Sequence, residues 1–241
     1  MSKALIKSAF TVLLLVMLMA VPVYGASVNK SIKVDAGSES DGATTVNGSI
    51  SVGDGAVVTG TLKTVNGKIR VDENATIEAA VTVNGSLSIA EGVRAGGLST
   101  VNGSVSVGEK STVAGEIGAV NGRIKLEMGS SVAQDVGNVN GDIELEGSEV
   151  GGNVKTVNGN VDLRDAAVIK GDLIIEKPSM WGFGDKKSRI PEVVIGPGSR
   201  VEGSIVLERE VKLYISKSAE VGGVEGEMSM SDAVRFSGDR P

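Results

Sequence analysis

The sequence contains no cysteine and no histidine. Without cysteine there is no disulfide, no thiolate metal site, no thiol nucleophile and no lipid-bearing cysteine. Without histidine the chain lacks the commonest general base and transition-metal ligand. Aromatic residues are scarce, with one Trp, two Tyr and three Phe in 241 positions. Together with abundant Val, Ile, Gly, Ser and Thr, this favours narrow, layered β structure over a bulky core. A formal net charge of -6 argues against a nucleic-acid partner, which needs a basic surface, and suits a soluble β protein. Asp and Glu are scattered without a convergent set. No glycine-rich run opens a helix with Lys-Ser/Thr behind it, and the calcium-binding nonapeptide pattern is missing. No catalytic residue, cofactor or metal site is therefore predicted, and the chain is not expected to be an enzyme.

What the sequence has is a repeat. The triplet Val-Asn-Gly occurs seven times, with asparagines at Asn47, Asn66, Asn84, Asn102, Asn121, Asn140 and Asn158. Each step from one asparagine to the next is either eighteen or nineteen positions. Such a period marks a solenoid, and its length suits one turn of a parallel β-helix. The expected fold is all-β, a single-stranded parallel β-helix of about ten coils with 18–20 residues each, spanning roughly 50 Å at about 4.8 Å per coil. Asn29, one such step before Asn47 but followed by Lys30, starts a degenerate first coil.

Three and five residues after each Asn stand apolar residues, from Ile50 and Val52 to Val161 and Leu163. That spacing belongs to a strand with one buried face. Further round the coil, Val57, Ile77, Val93, Val113, Val132 and Val150 are expected to point inward. So are Leu62, Val81, Leu98, Ile117, Val136, Val154 and Leu173. Burying each such side chain stabilises by about 1.5–3 kcal/mol. Asn and Gly both accept positive φ, so each Asn-Gly pair is read as a corner. Repeated asparagines at one corner predict a side-chain amide ladder; a row of amides binding sugar or ice is the functional alternative. On the outward columns, Arg123 is expected beside Asp142 and Lys125 beside Glu144, as register-fixing pairs.

The ends differ from the middle. Lys3 and Lys7 precede an apolar run over 9–21 and a small-residue zone at 22–26, which predicts a signal peptide over 1–25 with cleavage after Gly25. The mature protein is then exported, to the periplasm or cell surface. A retained anchor is the alternative. After Asn158 the repeat stops, and 176–191 reads as a loop inserted in the solenoid. It carries Trp181 and Phe183 beside Lys186, Lys187 and Arg189, a candidate contact for an envelope, glycan or protein partner. Coiling resumes with Val193, Ile195, Val201 and Ile205 and continues to about residue 226. Residues 227–241 form a tail that is either disordered or caps the last coil through Phe236.

The runs Val52-Gly53-Asp54-Gly55-Ala56-Val57-Val58-Thr59-Gly60 and Ile195 to Ile205 resemble the repeats of bactofilins. The repeated Val-Asn-Gly-Ser-Ile resembles the adhesin-type repeats of exported bacterial proteins. Together these similarities cover about residues 28–226. The first resemblance implies a polymer-forming, cytoskeletal β-helix, although bactofilins are cytoplasmic and this chain carries an apparent export signal. Hexapeptide acyltransferases resemble the chain in period, but they rely on a histidine it lacks. Two roles follow as expectations. One is a non-catalytic envelope scaffold that forms homo-oligomers through terminal coils, whose edges offer unpaired backbone groups. The other is an adhesin-like module using the 176–191 loop.

Overall fold

The computed structural model describes residues 28–178 and 190–241. The segment read as a signal peptide lies outside them, as do Trp181, Phe183, Lys186, Lys187 and Arg189. The described chain winds as a stack of parallel strands, nearly all of it β, into a solenoid of about ten turns. An 11-stranded sheet forms one wall, from Ile32–Val34 at one end to Val234–Phe236 at the other. A 15-stranded sheet forms the rest and bends between two further walls. Its long strands, such as Val57–Asn66, shift register between Val58 and Thr61, where the chain turns.

Each wall stacks like on like. Ile50 pairs with Ile32 and Ile69, and Val105 with Leu87 and Ile124. Alternate residues point inward and are fully buried, so the apolar columns merge into one continuous core. Two inward columns differ from expectation. Val57 is 37% exposed and its neighbour Val58 is buried. Val81 points outward and Ala80, paired with Leu62 and Leu98, fills the core. Val93 lies inward, but in a corner column with Ala56 and Ala75 rather than in the strand column. In each case the pleat decides: Ala80 stands four residues before Asn84, as Leu62 stands before Asn66, so position along the strand overrides side-chain size.

The insert leaves this stack undisturbed. Val161 pairs with Val193, and Leu173 with Ile205, across a stretch of sequence much longer than the ordinary repeat. The extra chain departs after Leu173–Ile175 and returns before Glu192–Ile195. Beyond residue 226, the stretch read as a tail adds a one-turn 3-10 helix, Met230–Asp232, and the strand Val234–Phe236, which pairs with Lys212–Ser216. Phe236 is buried, and Met228 and Ala233 pack on the core at that end.

Candidate functional site: the asparagine corner

Seven predicted asparagines lie in one column, and Asn29 makes an eighth. Each Nδ2 donates to the Oδ1 of the asparagine one coil earlier. The separations run from 2.6 Å for Asn47 to Asn29, through 2.8–2.9 Å, to 3.1 Å for Asn158 to Asn140. All donors point the same way, so the column has a donor end and an acceptor end. It is exposed along its length.

Glycine follows each of the seven, but not to supply positive φ. Of these glycines only Gly141 has φ in that region, at 131°, and Asn29 is the only ladder asparagine that does. The requirement is closeness. A Cβ on Gly122 would lie 2.5 Å from the carbonyl carbon of Gly103, and nearer still to its oxygen. The same collision recurs at Gly67, Gly85, Gly103 and Gly159. The left-handed positions belong to a different corner. There Gly37, Gly55, Asn74, Gly92, Lys110, Gly129, Gly147, Ala166 and Gly198 all have φ between 49° and 71°. The expected reason for glycine at the Asn-Gly corner is therefore corrected: coils approach there too tightly for any side chain.

Behind the ladder runs a second, buried column two residues before each Asn. The Thr45 hydroxyl donates to the Lys30 carbonyl at 2.8 Å, Thr64 to Gly48 at 2.8 Å, and Thr82 and Thr100 to Gly67 and Gly85 at 3.0 Å. These bonds satisfy corner carbonyls that strand pairing leaves over. At Asn138 an amide takes over, donating to Gly122 and Gly141 carbonyls and accepting from the Thr156 hydroxyl at 2.6 Å. The Thr-x-Asn-Gly spacing was visible in the sequence; the inward direction of the threonine is what betrays its role.

The acceptor end of the ladder is closed by a residue that the repeat did not flag. Thr156 pairs with Ile175 and Ile175 with Leu207, so Arg209 stands at the Asn corner two coils beyond Asn158. Its guanidinium crosses the coil from which the insert departs and donates to Asn158 Oδ1 at 3.1 Å and to the Val157 carbonyl at 3.2 Å. Glu208 Oε2 accepts from the Lys177 backbone N–H at 3.2 Å. The insert thus leaves the solenoid at the Asn corner, and Glu208 and Arg209 hold its root.

On the first wall, Arg123 reaches Glu144 at 3.5 Å and Asp142 at 3.9 Å. Lys125 faces Glu144 in register, yet its ammonium goes to Glu146 at 3.1 Å and Glu127 at 3.2 Å. The expected Lys125–Glu144 pair is replaced because a long lysine stem reaches past its partner strand's nearest residue. The hydrogen bonds that the Lys125 ammonium donates to the Glu146 and Glu127 carboxylates hold it above its ordinary pKa. At the third corner, burial pushes the Asp135 carboxyl upward, but hydrogen bonds from the Lys155 ammonium and the Asn153 backbone N–H outweigh it, and the net shift is downward. Among the described residues, no three acidic side chains converge as a metal site.

No protein family, no curated protein and no solved structure matches the chain at a significant level.

Proposed function

We propose that this chain is a non-catalytic structural rod of the bacterial cell envelope, of bactofilin-like or adhesin-like kind, that associates through its N-terminal coil. The observation that carries this reading is the asymmetry of the two ends. At the C-terminal end, Phe236, Met228 and Ala233 cover the core. Among the described residues, Ile32–Val34 at the other end pairs only with Ile50–Val52, as Val234–Phe236 pairs only with Lys212–Ser216, so the ends differ in what covers the core and not in strand pairing. Val28 beside it is 65% exposed. An open parallel edge over a half-covered apolar layer is a template for another strand. With side chains covering the core at the opposite end, the contact joins N-terminal coil to N-terminal coil and stops at two copies.

The test is light scattering of the exported form, from residue 26 onward, across a concentration series, alongside Ile32→Lys. The expected result is a dimer that Ile32→Lys converts to a monomer with unchanged β circular dichroism. A wild-type protein that stays monomeric at high concentration would overturn the reading.

A second reading, a surface- or glycan-binding module, is favoured by one feature. The insert is added without shifting the register of the coils around it, and its root is tied by Glu208 and Arg209. Deleting 180–187 should then abolish binding to envelope glycan while the fold persists; retained binding would exclude the insert.

A further inference from the structure

The valine of each Val-Asn-Gly triplet serves neither the ladder nor the core. It points outward, between the buried threonine column and the asparagines, in a stripe that runs from Val46 to Val157 on successive coils. A second outward column lies beside it, with Lys63, Val81, Ser99, Gly118, Gly137 and Lys155 in register. Lys63, Val81 and Lys155 are half-exposed. Ser99, Gly118 and Gly137 are buried, although the pleat turns them outward while Leu98, Ile117 and Val136 point into the core. Gly118 and Gly137 carry no side chain, so the wall is hollowed there into a trough beside Val101, Val120 and Val139. An apolar hollow on the outside of a rod marks a contact.

Size and reach decide what fills it. The trough spans three coils, too little for a second copy, which needs about 800 Å² a side. The insert is anchored next to it. Lys177 falls in register with Asn158, and Glu192 with Asn160, so everything between Lys177 and Glu192 stands where an ordinary coil has one glycine. The segment therefore leaves and returns at the Asn corner. Gly137, Gly118 and Ser99 lie two, three and four coils back from that corner, roughly 10–19 Å along the axis. A chain of this length that doubles back on itself reaches roughly 20 Å. The corner borders two walls. On the first, the nearest outward residues are Asp142, Glu144 and Asp162; on the other they are Val139, Val157 and Ile174. The apolar residues of the insert, Met180, Trp181 and Phe183, match the second.

We propose that this trough is the docking site of the chain's own segment 179–189, which lies outside the described residues, with Trp181 and Phe183 set against Gly118, Gly137 and the valines beside them. Docked in this way, the insert belongs to the wall of the rod. An outside partner then meets its basic residues and not its aromatic ones.

Trp181 is the only tryptophan, so the fluorescence of the purified full chain reads this one position. Its emission should lie to the blue of the urea-unfolded chain and resist quenching by acrylamide, and dilution should change neither. Gly118→Lys and Gly137→Lys put a charge into the trough, in a column that already carries Lys63 and Lys155. Each should bring emission and quenching to the unfolded values while β circular dichroism is unchanged. Val139→Lys, at a position whose side chain already stands outside the core, should do the same and guards against misfolding of the glycine variants. Ser88→Lys on the first wall should leave the tryptophan signal as it is. The proposal is overturned if wild-type Trp181 is as quenchable as in urea, or if the three trough and stripe variants leave it shielded. It is overturned equally if shielding is lost on dilution, which would assign the trough to a second copy.

Discussion

The glycine column offers a direct test of why the coils stack as they do. Consider Gly122→Ala. The new Cβ would stand 2.5 Å from the Gly103 carbonyl carbon, whereas unstrained carbon contacts begin near about 3.5 Å. The two coils must therefore part by roughly 1 Å at this corner. That opening strains the bond from Gly103 N–H to the Asn121 carbonyl at 3.1 Å and the ladder bond from Asn121 to Asn102 at 2.9 Å. Two bonds at about 0.5–1.5 kcal/mol each, with overpacking of about 1–3 kcal/mol, give a loss of roughly 2–6 kcal/mol. Gly129 is the control. It has φ +71° and nothing nearer to a built Cβ than Lys110 Cγ at 3.5 Å. Gly129→Asn should cost under about 1 kcal/mol, since asparagine tolerates this region and Asn74 occupies the same corner. Urea unfolding followed by far-ultraviolet circular dichroism measures both. A cost for Gly122→Ala no larger than that for Gly129→Asn would refute the steric account of the Asn-Gly corner.

Three further outcomes follow from the same geometry. Ser148 and Ser199 bury hydroxyls that have no partner among the described residues, in a column where Ala167 stands between them, so Ser148→Ala and Ser199→Ala should be neutral or stabilise by up to about 1 kcal/mol in urea melts. Arg209→Met removes the bonds to Asn158 and Val157 and should destabilise by about 1–2 kcal/mol, with hydrogen exchange rising first at the coils beside the insert's root. The folded-state pKa of Asp135 is depressed, so its contribution is complete above the unfolded carboxylate value and is lost as pH falls through the folded one. Stability measured against pH should show Asp135→Asn weaker than wild type at neutrality, with the gap closing in acid; a gap independent of pH would exclude the Lys155 pairing as its source.

The repeat alone determined the class of fold. A short, nearly constant step, with apolar residues three and five places after each Asn, leaves few ways to bury them except by stacking. Parallel pairing of Ile50 with Ile69 follows from that step. The ladder was equally legible, because equal residues at equal phase must meet. The inward assignment failed where composition competed with phase, at Val57 and Val81, since apolarity is read residue by residue and the pleat is not. The reason for glycine was also hidden: a tight approach between coils joins positions a full repeat apart in sequence, whereas a positive φ is local. Arg209 carries no repeat signature at all. Its place at the ladder's end exists only because the insert removes the intervening corner and the solenoid brings a residue 51 positions away across the gap. Sequence therefore determined what is periodic; tertiary structure decided what closes the period, because closure depends on which coil end or coil gap a side chain can reach.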